Sequence, residues 1–170
     1  GIQQTEIDSA VKFKLGFPMG IFELADFTGM DVIHKATTEM HLRDKKVINP
    51  HPKIEQLFNE KKLGQKSGEG FYKYSDDKYE RIPLSEELAE KCNPIQILAN
   101  ILNNAAWLVT NGASDIPEIE KAAQLGLGLK KPLFETAKEY GISKIVTELK
   151  QLAEKHGQFY EPDPLLVSMQ

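Results

Sequence analysis

Residues 5–34 reappear without a gap at residues 117–146, and this duplication decides most of what the chain can fold into. Glu6-Ile7-Asp8 matches Glu118-Ile119-Glu120, Ala10 matches Ala122, and Leu15-Gly16 matches Leu127-Gly128. Phe22-Glu23 with Ala25 matches Phe134-Glu135 with Ala137, and Gly29 matches Gly141. The offset is 112 throughout (Glu6 to Glu118), and it persists where Pro50 and Pro52 meet Pro162 and Pro164. Glycine and proline fix backbone torsions that other residues leave open. Keeping both at one offset therefore preserves a backbone and not merely a helical composition. The chain holds two copies of one fold unit, and one face of one copy is expected to pack on its equivalent in the other as a pseudo-dimer.

The apolar period is helical nearly throughout, so the predicted fold class is all-α. Ile7, Ala10, Val11 and Lys14 mark a short amphipathic helix, Ile21 to Phe27 a second, and a third runs to about Leu42 with Asp31 as its cap. Gly29 suits a left-handed helix end. Pro52 fits the first turn of a helix reaching about Lys62. Gly64, Gly68 and Gly70 with Phe71 and Tyr74 read as a loop or short extended tail, and the polar stretch Ser75–Pro83 as a linker. In the second half Asn93 and Pro94 open a long helix with an apolar stripe from Ile95 to Val109. Asp115 and Glu118 have capping-box spacing, and Ser143 is the expected cap of the last long helix. The expected domains are 1–80 and 84–170.

The copies are cut differently. The second carries the Asn93–Asn111 helix at its front, for which the first has no room after Gly1; the first carries the Gly64–Tyr74 tail, whereas the second stops at Gln170. A chain with this pattern is expected to be part of a longer polypeptide. Its net charge of −4 argues against a broad nucleic-acid footprint. The single cysteine, Cys92, allows no internal disulfide and fits a reducing, cytoplasmic setting. No apolar run approaches the roughly 18–20 residues of a membrane span, and no signal-peptide pattern opens the chain.

Two segments carry a family resemblance. Lys14-Leu15-Gly16-Phe17-Pro18-Met19-Gly20-Ile21-Phe22-Glu23-Leu24-Ala25-Asp26 resembles the helical-domain signature of L-3-hydroxyacyl-CoA dehydrogenases. Lys62-Leu63-Gly64-Gln65-Lys66-Ser67-Gly68-Glu69-Gly70-Phe71-Tyr72-Lys73-Tyr74 is similar to the tail of that same domain. The second copy, through Asn103-Asn104-Ala105-Ala106 and Glu161-Pro162-Asp163-Pro164-Leu165-Leu166, looks like a diverged version. Tandem helical domains of this kind belong to multifunctional β-oxidation proteins and to dehydrogenase–hydratase fusions.

The resemblance implies the helical cleft and dimerisation part of an NAD-dependent enzyme that oxidises L-3-hydroxyacyl-CoA to 3-oxoacyl-CoA, in fatty-acid β-oxidation or butanoate metabolism. A Rossmann domain would bind NAD and supply a catalytic histidine–glutamate pair. In tandem forms the second copy takes the place of a partner subunit. The implied partners are an upstream Rossmann domain, an acyl-CoA substrate, a fused hydratase domain and further copies in a homo-oligomer. The chain has no glycine-rich dinucleotide turn after a strand, so no catalytic residue is assigned and the isolated chain is expected to be inactive. The family's asparagine near the start of the first long helix falls on Ile95 in the second copy, and isoleucine cannot donate a hydrogen bond. The alternatives are a relative acting on a 3-hydroxy acid not bound to CoA, and a stand-alone helical interaction module.

Lys66, between Gly64 and Gly68, is the candidate cofactor-binding residue; the resemblance implies that it reaches NAD across a cleft, whereas composition alone reads it as an exposed turn lysine. Met19 and Gly20 are the candidate substrate-binding residues, because a thioether suits a variable acyl tail; ordinary core filling is the competing reading. Glu23 and Glu135 sit where a helix dipole favours negative charge. His34 and His41 lack further ligands at metal-binding spacing. Phe71, Tyr72 and Tyr74 either stack on an adenine or pack the tail onto helices.

Overall fold

The computed structural model describes residues 1–74 and 83–170. The linker expected over Ser75–Pro83 thus lies outside the described residues, apart from Pro83. Among the described residues every regular element is helical: α1 Gln4–Phe13, α2 Ile21–Thr28, α3 Met30–Arg43, α4 Pro52–Asn59, α5 Glu86–Ala89, α6 Ile95–Thr110, α7 Ile116–Leu127, α8 Leu133–Tyr140, α9 Ile142–His156 and α10 Pro164–Ser168. Short 3₁₀ turns occupy Gln65–Ser67 and Gln158–Tyr160. α1 to α4 begin at residues 4, 21, 30 and 52, and α7 to α10 at 116, 133, 142 and 164, each 112 residues on. The paired glycines share their backbone as well: φ is 98° at Gly29 and 93° at Gly141. That region is open to glycine and strained for L side chains.

This torsion explains one departure from expectation. α2 and α3 are joined by Gly29 alone, and α8 and α9 by Gly141 alone, so each glycine ends one helix and caps the next. No position is left for a side-chain cap; Asp31 and Ser143 lie inside the first turn of their helices. α4 also ends early, at Asn59, because the chain turns left-handed at Lys61 (φ 60°). Asp115 does cap α7, accepting a hydrogen bond from the Glu118 N–H at 2.8 Å, and Asn93 Oδ1 accepts from the Ile95 N–H at 3.1 Å.

The chain folds as two compact units. Unit 1 comprises Gly1–Ser9 and Met19–Cys92, and unit 2 comprises Ala10–Pro18 and Asn93–Gln170. In unit 2 the apolar face of α6 is the centre of the core. Leu98, Ala99, Leu102 and Ala106 are at most 1% exposed, and α6 packs on α9, α10, α8 and α7. Ala137, Ile145, Leu149 and Leu166 close the same cluster, which Leu15 also joins. In unit 1 α3 packs on α4 and α2. Its buried apolar residues include Met30, Leu57, Ala89 and Cys92, and three polar residues, Asp8, Ser9 and Asp26, are as deeply enclosed. Buried polar groups need partners, and those of Asp8 and Asp26 define the candidate site.

Candidate functional site

Asp8, on the buried side of α1, faces the start of α2. Its carboxyl oxygens accept from the backbone N–H groups of Phe22 and Glu23, each at 2.9 Å. It thereby satisfies two of the donors that every helix leaves open at its N-terminus. Gly20 sits directly against it: a Cβ at Gly20 would fall 2.1 Å from Asp8 Cγ. Glu23 folds back to accept from the Gly20 N–H at 3.1 Å. Burial pushes the Asp8 carboxyl above its ordinary range, opposed by the hydrogen bonds from Phe22, Tyr72 and Glu23.

Asp26, near the other end of α2, holds the glycine-rich tail. It accepts from the N–H groups of Phe71 (2.8 Å) and Tyr72 (2.9 Å) and from the Tyr74 hydroxyl (2.8 Å). The Tyr72 hydroxyl reaches across to Asp8 at 2.9 Å. The tail can come this close only where side chains are missing. A Cβ at Gly70 would lie 2.1 Å from Asp26 Oδ1, and one at Gly64 2.2 Å from the Asp26 carbonyl oxygen. Phe71 packs on Phe22 with ring centroids 4.7 Å apart, and isolated bridges tie Gly64 to Glu69 and Glu69 to Lys73. Burial, and after it the neighbouring carboxyl groups, drive the hydroxyls of Tyr72 and Tyr74 far above the normal phenol range. Both are therefore neutral donors. The glycine and aromatic positions of this motif build a clasp between the tail and α2, and the aromatic rings are used for packing.

Lys66 lies in the 3₁₀ turn of the tail, its side chain 46% exposed. Its ammonium pairs with Asp31 in the first turn of α3, and a Cβ at Gly29 would meet Lys66 Nζ at 2.6 Å. The hydrogen bond from Lys66 holds the Asp31 carboxyl below its ordinary range. Met19 is half-buried and Gly20 buried. Gly20 caps the N-terminus of α2 and Gly29 its C-terminus, and a helix of 8 residues is about 12 Å long. Met19 and Gly20 thus stand at one end of α2 and Lys66 at the other. His34 stacks on Phe58 at 4.4 Å, and His41 Nδ1 lies 2.6 Å from the Val47 carbonyl oxygen.

Unit 2 repeats the first half of this arrangement and differs at the residue that anchors the second. Glu120, equivalent to Asp8, accepts from the N–H groups of Leu133 and, at 2.7 Å, Phe134. Pro132 stands in place of Gly20 and has no N–H to give, so Glu135 has nothing to fold back to and is exposed. Lys138 stands in place of Asp26 and is also exposed; an ammonium cannot accept the hydrogen bonds that a tail would bring. Ile95 is buried in the core cluster. Asp8 and Asp26 were visible in the sequence only as motif letters, since nothing local announces partners so distant along the chain.

A helical unit closed by a glycine-rich tail, followed by a second copy that has lost the tail's anchor, is a duplicated helical domain. The model of the 3-hydroxyacyl-CoA dehydrogenase, C-terminal domain, matches it twice, over residues 1–74 and 95–170, and the chain belongs to that family. A mitochondrial hydroxyacyl-coenzyme A dehydrogenase of Rattus norvegicus is 44% identical over 71 residues, which are 41% of this chain and 23% of that protein. Its Homo sapiens counterpart is 42% identical over the same shares. The match thus spans about a quarter of those relatives' length. Among solved structures, 3-hydroxybutyryl-CoA dehydrogenase from Escherichia coli K12 superposes with a TM-score of 0.76 at 18% identity, covering 98% of this chain and 54% of that one. The dehydrogenase part of multifunctional enzyme 1 from C. elegans gives 0.69 at 23% identity, covering 100% and 43%. At such identities the two structures speak for the fold alone.

Proposed function

We propose that this chain is the helical, cleft-forming and dimerisation part of an NAD-dependent enzyme that oxidises an L-3-hydroxyacyl-CoA to the 3-oxoacyl-CoA. The double family match over residues 1–74 and 95–170 carries the reading. Among the described residues there is no parallel sheet, and every regular element is helical, so the residues present do not make a dinucleotide fold. Binding of NAD, and the hydride transfer that NAD supplies, belong in this reading to a Rossmann domain outside these residues, and the chain alone is inactive. Lys66 is the part of this chain that meets the cofactor. Its ammonium is half-exposed and is held at a fixed point by Asp31, which suits a phosphate or ribose oxygen. Met19 and Gly20, at the far end of α2, line the acyl side, in copy one only, since Lys131 and Pro132 replace them in copy two. The reading includes a cytoplasmic setting.

Two measurements test this reading. Calorimetric titration of the isolated chain with NAD gives no heat of binding; micromolar affinity would contradict it, because that needs a complete cofactor site in these residues. In the full-length polypeptide, Lys66→Ala raises the KM for NAD more than it lowers kcat, and unchanged cofactor kinetics removes Lys66 from the site. Turnover of a free 3-hydroxy acid in preference to its CoA thioester would favour the relative that acts on substrates other than CoA esters.

A further inference from the structure

Asp8 and Asp26 hold opposite ends of α2, and Tyr72 touches both. Asp8 grips the start of the helix through the N–H groups of Phe22 and Glu23. Asp26 stands one turn past Phe22, roughly 6 Å along the axis. The Tyr72 N–H donates to Asp26 Oδ2 at 2.9 Å, and its hydroxyl donates to Asp8 Oδ2 at 2.9 Å. A ring is thereby closed through Asp8, the first turns of α2, Asp26 and Tyr72. Each end of it carries a candidate site group. Gly20, with Met19 before it, lies against Asp8, where a Cβ would fall 2.1 Å from Asp8 Cγ. At the other end the tail's own bonds tie Lys66 to Tyr72. The Gly70 N–H donates to the Tyr72 carbonyl at 2.8 Å, the Tyr74 N–H to the Gly68 carbonyl at 2.9 Å, and the Gly64 N–H to the Glu69 carbonyl at 2.8 Å. Lys66 sits in the 3₁₀ turn that these bonds enclose.

The second copy alters both ends together. It keeps the grip on the start of α8 through Glu120. It has Lys131 and Pro132 for Met19 and Gly20, Lys138 for Asp26, and Ser143 for Asp31. The plain helix cap stays, and the groups at the acyl end and under the tail change with one another.

We propose that Tyr72 is a positioning residue: with its hydroxyl on Asp8 it holds Met19 and Gly20 in register with Lys66, so that acyl group and cofactor bind cooperatively. The inference rests on the dehydrogenase reading. The element with two states is the Tyr72 hydroxyl, seated on Asp8 or turned to water. An acyl group against Met19 and Gly20 that favours the seated state also favours the ordered Lys66 turn. A cofactor on Lys66 favours the acyl end by the same factor, because coupling between two binding events is reciprocal.

Two variants of matched chemistry separate positioning from stability. Tyr72→Phe opens the ring and strands nothing, since Asp8 Oδ2 keeps the Glu23 N–H. Tyr74→Phe removes a bond of the same kind to Asp26, whose Oδ2 keeps the Tyr72 N–H, and a contact to Gln65; the ring stays closed. In the 170-residue chain, Tyr72→Phe speeds hydrogen exchange in both 20–23 and 64–68 by about threefold or more, and Tyr74→Phe does so in the tail alone. In the full-length polypeptide NADH fluorescence is titrated with and without a saturated acyl-CoA, which has no 3-hydroxyl to oxidise. The acyl-CoA tightens NADH about fivefold or more in the natural protein and less than about twofold in Tyr72→Phe. Tyr74→Phe weakens NADH equally with and without acyl-CoA and keeps the coupling. Undiminished coupling in Tyr72→Phe overturns the proposal, as does its absence from the natural protein or faster exchange confined to the tail. A polypeptide that binds neither NADH nor acyl-CoA refutes the dehydrogenase reading and this inference with it. Binding of both, weakened for NADH by Lys66→Ala but with coupling intact in Tyr72→Phe, refutes this inference alone.

Discussion

Replacing Asp26 by Asn changes neither size nor shape, and it isolates the clasp that holds the tail. Oδ1 accepts from the Phe71 N–H, and Oδ2 from the Tyr72 N–H and the Tyr74 hydroxyl. An amide offers one oxygen and one NH₂. Pointing the oxygen at Tyr72 sets the NH₂ against the Phe71 N–H; the flipped amide sets it against the Tyr72 N–H. The Tyr74 hydroxyl can rotate to accept, but a backbone N–H cannot. Either orientation strands one backbone donor, at about 1–3 kcal/mol, and loses about 1 kcal/mol of hydrogen bonding. Phe71 and Tyr72 are half-buried, so water recovers part of this and the expected loss is about 2 kcal/mol, out of the roughly 5–15 kcal/mol that holds a domain together. Urea denaturation followed by tyrosine fluorescence reads the stability, and amide exchange at Phe71 and Tyr72 reads the location. A loss under about 0.5 kcal/mol, with unchanged exchange at those two amides, would refute the clasp.

Further outcomes follow from the same geometry. Gly70→Ala places a methyl group 2.1 Å from Asp26 Oδ1 and should displace the tail, at a cost of about 1–3 kcal/mol. Gly68→Ala, with φ 78° and no atom nearer than 3.6 Å, should cost only the torsion, about 1–2 kcal/mol; paired melts separate crowding from backbone strain. Asp8 has a carboxyl raised by burial, so between its ordinary value of 3.8 and the raised one the folded chain binds more protons than the unfolded chain. Stability attributable to Asp8 therefore rises as pH falls through that window. The stability difference between the natural chain and Asp8→Asn should shift in favour of the natural chain on acidification, and a pH-independent difference would be the wrong result. Asn103→Leu strands the Glu161 carbonyl and the Asp163 N–H and should destabilise unit 2 by about 2–4 kcal/mol, read by Trp107 fluorescence in urea.

Helix order and register were legible because they are written in local chemistry. Proline and glycine at a constant offset fixed the helix starts, and every one of the paired helices begins where that offset puts it. Asp31 and Ser143 do not cap α3 and α9, because a cap needs a free position before the helix, and the single-glycine joints at Gly29 and Gly141 leave none. The clasp was not legible at all. Asp26 and Phe71 are 45 residues apart, and an aspartate on a helix face normally signals solvent. The retention of Glu23 and Glu135 suggested one shared task; the Gly20 to Pro132 exchange gives the reciprocal bond to the first copy alone. The flanking Gly64 and Gly68 single out Lys66 in the sequence, but its ion pair with Asp31 depends on how the tail lies along α2, which no spacing encodes.

The path of the chain also sets limits on dissecting this protein. α1 gives Gln4–Ser9 to unit 1 and Ala10–Phe13 to unit 2, so neither unit is one continuous stretch of sequence. A cut after Tyr74 would free a C-terminal piece without Leu15, which is 5% exposed in the core of unit 2, and without Phe17, which packs against that core. The loss of Leu15 alone forfeits about 1.5–3 kcal/mol of burial and opens an oily seam that invites aggregation. Half-chains meant to fold alone would need residues 10–18 returned to the second piece, as a covalent graft or an added peptide.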